Sequence, residues 1–215
     1  MVAGTAGCGR TPAQTAVEEG LQRTEAAGTV VFHLATTTKG RLETSIGVVN
    51  FHEQEIYRAY FQGRAPASAT LFLNGPPCRY ELWQFGSTQY TYVPGAPAAV
   101  AWSISRKAPF PNALGFPLAA LGGQEKTTEL GRRALDGAPV TEYRVAVPAA
   151  TEDGQKVPAH WLYAWLDDHG RLVRASFTQA EEMGDTAGHS VLSQELTFTR
   201  FGVATKVQRP RVPST

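Results

Sequence analysis

Short stretches in which apolar and polar residues alternate make up most of this chain. Val30, Phe32 and Leu34 fall at every second position, and the alternation resumes at 42–48 after a Lys39-Gly40 turn. Residues at every second position share one face of a β-strand, and a glycine between two such stretches is typical of a hairpin. The sequence therefore predicts an N-terminal hairpin with one apolar face.

The same pattern predicts further strands downstream, each bounded by Gly, Pro or Asn. They are 56–62, 70–73, 79–85, 89–93, 128–135, 140–147, 161–166, 172–179 and 191–199. Short turns between consecutive strands predict antiparallel pairing. In the stretch 161–166 aromatic residues alternate with aliphatic ones, so this strand is predicted to be central and buried on both faces.

Two segments break the alternation and are predicted to cover the sheet. Thr11 as N-cap, Pro12 at the first helical position and Gln14 in a capping box predict a helix that ends at Gly28. The segment 94–123 is rich in Pro, Gly and Ala, and its later part predicts one or two short helical turns. About ten or eleven strands exceed what a flat sheet tolerates. We therefore expect a mainly β (α+β) fold, in which a single strongly curved antiparallel sheet has its concave face covered by the helix and the short-helix segment.

Composition and charge narrow the possible partners. The chain has 215 residues, 42% of them hydrophobic, and its 20 Lys and Arg nearly balance its 19 Asp and Glu. The charges are scattered, whereas nucleic acid requires a clustered basic surface, so we expect no nucleic-acid partner. No apolar stretch approaches the ~20 residues of a membrane-spanning helix. We expect one domain at 11–208, preceded by a tether at 1–10 and followed by an unpaired tail at 209–215.

Motifs that would indicate catalysis are incomplete. The run that begins at His52 has Ile56 where a zinc-protease motif needs its second histidine. The run 167–170, Asp-Asp-His-Gly, is better explained as a hairpin turn in which Gly170 adopts a positive φ. We therefore expect no catalytic residues, no metal site and no cofactor, and we interpret the chain as not an enzyme.

Three stretches resemble a known family. They are Gly-x-x-x-Leu-Asp-Gly-x-Pro-Val-Thr-Glu-Tyr-Arg at 131–144, Trp-Leu-Asp-Asp-His-Gly-Arg-Leu-Val-Arg at 165–174 and Leu-Thr-Phe-Thr-Arg-Phe-Gly-Val-Ala-Thr-Lys-Val-Gln-Arg-Pro at 196–210. In this order they resemble the LppX/LprG family of actinobacterial envelope lipoproteins, which share the half-barrel fold of the LolA and LolB carriers. The resemblance implies a half-barrel that holds acyl chains between its sheet and its helices.

The residues before Cys8 resemble the end of a bacterial lipobox. Thr5-Ala6-Gly7 precedes Cys8, although Thr5 stands where leucine is usual and only a short leader precedes it. We expect that the true start lies upstream of Met1 or that the leader has been shortened. A lipidated Cys8 would anchor the chain to the outer face of the plasma membrane, and without the lipid the chain would be secreted. The alternatives are a free Cys8 and a disulfide with Cys78.

These observations lead to two hypotheses for function. In the first, the chain is an envelope lipoprotein that binds the acyl chains of a lipid or glycolipid in an apolar cavity, for transfer or storage outside the plasma membrane. The candidate cavity residues, taken from apolar strand faces and the covering segment, are Phe32, Leu34, Ile46, Val48, Phe61, Leu73, Leu118 and Leu121. In the second, the same fold has a filled core and serves as a tethered, non-enzymatic interaction or scaffold module.

Overall fold

The first element is a helix that begins at the predicted cap. The computed structural model describes residues 10–63, 79–97, 100–107, 110, 114, 121, 126–152, 155–157, 159–182 and 189–212. Helix α1 spans Pro12–Ala26. The Thr11 hydroxyl accepts from the Gln14 N–H, and Gln14 Oε1 accepts from the Thr11 N–H at 2.7 Å, which confirms the capping box. The helix is followed by Gly28, which has a φ of 75°.

The rest of the described chain is mainly β-structure. The strands are β1 Thr29–Thr38, β2 Arg41–Asn50, β3 Glu55–Gln62, β4 Tyr80–Phe85, β5 Thr88–Tyr92, β6 Trp102–Ser105, β7 Lys126–Leu135, β8 Ala138–Val147, β9 Ala150–Glu152, β10 Gln155–Val157, β11 His160–Leu166, β12 Leu172–Glu182 and β13 His189–Phe201. Strands β9 and β10 form a separate two-stranded hairpin. In the described part of the chain, the other strands form one antiparallel sheet of 11 strands.

Two tight turns show how local sequence builds this sheet. Strands β1 and β2 are joined by Lys39 and Gly40, with φ of 52° and 72°, and strands β7 and β8 by Asp136 and Gly137, with φ of 51° and 84°. Positive φ at both central residues defines the hairpin turn whose twist matches that of the strands. Glycine reaches this conformation without steric cost, so the turns form at the positions where the sequence has a glycine.

The sheet consists of two meanders joined along one seam. Its strand order is β6-β5-β4-β3-β2-β1-β13-β12-β11-β8-β7. Strands β1 to β6 form one meander, and β7, β8 and β11 to β13 form the other. The seam is the antiparallel pairing of β1 with β13, in which Phe32 lies opposite Phe198 and Leu34 opposite Leu196. The result is an open half-barrel with α1 on its concave face, which confirms the predicted fold class.

The hairpin of β1 and β2 differs from the prediction, because both of its faces are apolar. The two-residue turn places Thr38 opposite Arg41, Leu34 opposite Ser45 and His33 opposite Ile46. Even-numbered residues of β1 therefore share a face with odd-numbered residues of β2. The alternating apolar residues from which one face was predicted are even-numbered on both strands, so those of β1 lie on the opposite face of the sheet from those of β2.

Three other predictions need comment. The segment 94–123 contains strand β6, because Trp102 and Ile104 pair with Tyr92 and Tyr90 on β5; the prediction that it lacks strands was wrong. Strand β11 is buried on one face only, since Trp161 is 44% exposed. The predicted strand at 70–73 lies outside the described residues.

Candidate functional site

The concave face of the sheet is apolar across both meanders. Cross-strand neighbours continue this surface from β1 to β13 and from β11 to β12, where Leu162 lies opposite Phe177. We call the buried residues here the concave cluster: Val17, Val30, Phe32, Leu34, Val49, Ile56, Leu82, Leu114, Leu121, Tyr143, Val145, Leu162, Ala164, Leu166, Leu172, Ala175, Phe177, Leu196 and Phe198. It is the largest apolar surface that the described elements assemble, and its side chains are nearly fully buried.

Helix α1 covers one half of this face. It contacts β7, β11 and β12. Close approach is possible because residue 20 is glycine: a Cβ there would lie 2.5 Å from Leu166 Cδ2. The buried Thr24 then links helix to sheet, since its hydroxyl donates to the Gly20 carbonyl oxygen at 2.9 Å and accepts from the Leu172 N–H at 2.8 Å.

Two described leucines of the predicted covering segment belong to the concave cluster. Leu114 and Leu121 are both fully buried, and Phe110 packs against the same cluster. Phe110 also makes an edge-on contact with Phe51 at the end of β2, with ring centroids 6.5 Å apart. Side chains from this segment thus occupy the concave face, as the apolar residues of the segment predicted.

The predicted cavity residues lie on two opposite faces. Phe32, Leu34 and Leu121 belong to the concave cluster. Ile46, Val48 and Phe61 belong to a second cluster on the outer face, which we call the outer cluster and which also contains Tyr57, Ala59, Trp83 and Val207. The structure therefore does not bring these six residues into one cavity. Leu73 and Leu118 lie outside the described residues, as do Cys8 and Cys78.

The outer cluster is covered by the chain that follows β13. This segment has no regular secondary structure, yet Val207 is buried and the Arg209 guanidinium lies 5.0 Å from the centroid of the Phe85 ring. Within the cluster, Trp83 stacks on Trp102 with ring centroids 5.8 Å apart. The outer cluster is thus a second core, closed by residues 203–209.

A carboxyl group is buried beside this outer cluster. Glu81 Oε1 accepts a hydrogen bond from the Tyr57 hydroxyl at 3.0 Å. Burial raises the pKa of the Glu81 carboxyl, and the bond from Tyr57 opposes that shift by stabilising the ionised form. The group supports the outer core and lies on the opposite face from the concave cluster.

Sequence reasoning missed a polar group on the concave face. Arg58 of β3 lies opposite Gly47 of β2 and Leu82 of β4. Its Nε donates to the Ser45 hydroxyl at 2.8 Å, and its guanidinium lies 4.0 Å from the centroid of the Tyr60 ring. The sequence signal that could have identified Arg58 is the alternation along β3, which places Ile56, Arg58 and Tyr60 on one face of the strand.

Two clefts lie beside α1. One of about 410 Å³ is bordered by Glu19 and Arg23 of the helix, by Tyr143 and by the turn at 167–170. The other, of about 490 Å³, lies between the C-terminal part of α1 and His52. None of the predicted cavity residues lines either cleft.

The described residues contain no group of three or more His, Cys, Asp or Glu that could hold a metal ion. His52 follows β2 and lies beside Gly28, whose Cβ would be 3.2 Å from the imidazole. Asp167 organises the turn between β11 and β12, because its carboxylate accepts from the N–H groups of His169 and Arg171. No helix within the described ranges is long and apolar enough to cross a membrane.

Comparison with known proteins adds evidence on the fold. No family model and no curated protein matches the sequence. Among solved structures, the lipoprotein LppX of Mycobacterium tuberculosis is 16% identical with a TM-score of 0.53, and the match covers 93% of this chain and 100% of LppX. This chain has the LppX-type fold. LprF of Mycobacterium bovis is 15% identical with a TM-score of 0.53, covering 92% of this chain and 96% of LprF.

The LppX-type fold confirms the resemblance carried by the three C-terminal sequence stretches. Those stretches form the turn between β7 and β8, the turn between β11 and β12, and strand β13 with the segment after it. All three belong to or border the second meander, so they specify the sheet and the segment that covers its outer face. The candidate functional site in this LppX-type fold is the concave cluster.

Proposed function

We propose that this chain is a non-enzymatic envelope protein that holds the acyl chains of a lipid against the concave face of its sheet, for transfer or storage outside the plasma membrane. The observation that carries the proposal is the continuous apolar surface of the concave cluster, which extends across the β1–β13 seam. Two solved structures share this fold, LprF and LppX, and LppX is a lipoprotein. Their fold is a second, weaker support.

Acyl chains would take the place of side chains that now cover the sheet. Leu114 and Leu121 occupy the concave face but follow β6 in the chain and belong to no strand of the large sheet. Burying one methylene contributes about 0.8 kcal/mol, so a chain of about 16 carbons gains about 13 kcal/mol by leaving water. That gain exceeds the cost of exposing two leucines, which is about 2 kcal/mol each.

A scaffold with a filled core is the second candidate, and one observation favours it. Leu114 and Leu121, like the sheet residues of the concave cluster, are nearly fully buried among one another. In this case the concave cluster is an ordinary core, and the outer surface binds a partner. The two candidates differ in whether the purified chain takes up lipid.

The test is an exchange experiment with vesicles. The purified chain is incubated with vesicles of dioleoyl phosphatidylglycerol, recovered free of vesicles, and examined by native mass spectrometry and by solvent extraction. We expect about one lipid per chain. Recovery of the chain without lipid, also after purification from an actinobacterial host, would overturn the carrier proposal and leave the scaffold.

A matched pair of variants separates the two faces. Leu34 and Ile46 are both buried in the first hairpin, on the concave and on the outer face respectively. Leu34→Ala and Ile46→Ala each remove apolar contacts and lower the free energy of unfolding by about 2–5 kcal/mol. We expect Leu34→Ala to reduce lipid uptake and Ile46→Ala to retain it. An equal reduction in both variants would attribute the loss to lower stability.

Anchoring through Cys8 is part of this proposal, and it places the chain at the outer face of the plasma membrane. Cys8 lies outside the described residues, so its support is the lipobox-like sequence. Metabolic labelling with a palmitate analogue, in an actinobacterial host that expresses the gene with its upstream sequence, tests it. We expect label in the wild type and none in Cys8→Ala; equal labelling of both would exclude this anchor.

A further inference from the structure

Arg58 places a positive charge on the concave face, beside the concave cluster. Three charged side chains are buried in the part of the chain that the structure describes: Arg58, Glu81 and Glu142. The strand registers place Glu81 opposite Tyr92 and Glu142 opposite Trp165, on the outer face. Arg58 is therefore the buried charge of the concave face, and it is only 7% exposed.

Hydroxyl groups surround this guanidinium. Ser45 accepts from Nε at 2.8 Å, and the Tyr60 ring lies against the guanidinium plane. Tyr60 in turn stacks on Tyr80, with ring centroids 3.9 Å apart and an interplanar angle of 22°. Burial raises the pKa of both tyrosine hydroxyls, and the two hydroxyls are hydrogen-bonded to each other. Both therefore stay protonated, and the pair keeps one hydroxyl hydrogen to donate to a ligand.

This polar group reaches the rim of the sheet. Glu43 lies two residues before Ser45 on β2, and it forms an ion pair with Arg79, which precedes β4. Both side chains of this pair are largely exposed. A polar path therefore leads from the solvent at this edge to Arg58, whereas the surrounding concave face is apolar.

We propose that Arg58, with the hydroxyls of Tyr60 and Tyr80, receives the anionic headgroup of the lipid whose acyl chains lie on the concave face. This inference rests on the proposed function. A guanidinium presents its N–H donors in a planar fork that fits two oxygens of a phosphate or carboxylate. In apolar surroundings an ion pair is stronger than in water, so a few polar groups in an apolar site fix the orientation and class of the ligand. The site thus selects an acidic lipid over a neutral lipid with the same chains.

The experiment compares lipids that differ only in their headgroups. The full chain is exchanged with vesicles that contain equal amounts of dioleoyl phosphatidylglycerol and dioleoylglycerol, and the retained lipids are quantified by mass spectrometry. We expect the wild type to retain the acidic lipid at least tenfold over the neutral one. Arg58→Gln should lower retention of the acidic lipid to the level of the neutral lipid while the neutral lipid is unchanged. Arg106→Gln, which changes an exposed arginine that follows β6, is the control and should change the ratio less than twofold.

Each other outcome overturns a defined part of the argument. Equal retention of both lipids by the wild type overturns the headgroup site and leaves the carrier function intact, whereas retention of neither overturns the carrier function itself. A uniform loss of both lipids in Arg58→Gln, with a lower unfolding temperature, would make Arg58 a structural residue. If Arg58→Gln does not fold, Tyr80→Phe removes one hydroxyl at the half-buried end of the group, and an unchanged ratio overturns the inference. Displacement of the lipid by millimolar glycerol phosphate would indicate a site for a free anion.

Discussion

Replacing Thr24 by valine tests whether one hydroxyl fixes α1 to the sheet. Thr24 is fully buried, and its hydroxyl joins the Gly20 carbonyl oxygen of its own helix to the Leu172 N–H at the start of β12. Valine keeps the branched shape but removes the acceptor for Leu172 N–H. Loss of a partner for a buried N–H costs about 1–3 kcal/mol. We therefore expect the free energy of unfolding to fall by about 2 kcal/mol.

The change is measurable by urea denaturation followed by tryptophan fluorescence. For a chain of this size, about 2 kcal/mol corresponds to a fall in Tm of about 4–8 °C. Amide exchange at Leu172 should also accelerate relative to neighbouring β12 residues, because its N–H loses that acceptor. Thr24→Ser keeps the hydroxyl and removes one methyl group, so we expect a smaller loss of about 1 kcal/mol.

Thr15 provides the control, because it lies exposed on the same helix. Thr15→Val should change the free energy of unfolding by less than about 0.5 kcal/mol. The reasoning would be refuted if Thr24→Val were no less stable than Thr15→Val, or if Thr24→Ser were the less stable of the two Thr24 variants. The second result would mean that methyl packing, and not the hydroxyl, holds the helix.

Three further changes have defined outcomes. A Cβ at Gly47 would lie 2.3 Å from the Tyr57 carbonyl oxygen, so Gly47→Ala should cost about 1–3 kcal/mol in urea denaturation, and an unchanged midpoint would contradict this. Burial raises the pKa of Glu81 above its ordinary 4.5, so the folded state binds that proton more firmly than the unfolded state and loses stability as the pH rises above 4.5. Glu81→Gln should therefore gain stability relative to wild type between pH 4 and pH 7. A stability difference that stays constant over this range would refute the raised pKa of Glu81. Val207→Ala should lower the free energy of unfolding by about 2 kcal/mol because it opens the outer cluster. Val100 is 66% exposed, so Val100→Ala should change that free energy by less than about 0.5 kcal/mol. Equal effects of the two changes would show that the terminal segment does not stabilise the sheet.

Local sequence patterns were sufficient to predict much of the fold. The capping box at Thr11, the Lys39-Gly40 and Asp136-Gly137 turns and the alternating strands each depend on residues a few positions apart, so the sequence indicates them directly. Pairing of β1 with β13 depends on residues from opposite ends of the chain. No local pattern specifies it, and the sequence stretches alone did not predict the strand order.

The candidate site was harder to predict because it depends on which face each side chain occupies. The two-residue turn after Thr38 fixes the register, and that register places Leu34 and Ile46 on opposite faces. A prediction that places all apolar strand residues on one surface therefore combines residues of the concave cluster with residues of the outer cluster. Arg58 was overlooked for a related reason: its position on β3 gains meaning only once Ser45 and Tyr60 are known to lie on the same face.

The seam between β1 and β13 also has a kinetic consequence. Val31 pairs with Thr199 and Phe32 with Phe198, so the central contacts of the sheet join residues that are synthesised at very different times. Closing so long a loop is entropically costly before any pairing compensates it, and such topologies fold slowly. Until β13 arrives, β1 is an unpaired edge with exposed apolar residues, a state that favours aggregation. We therefore expect this chain to depend on protection during its biogenesis.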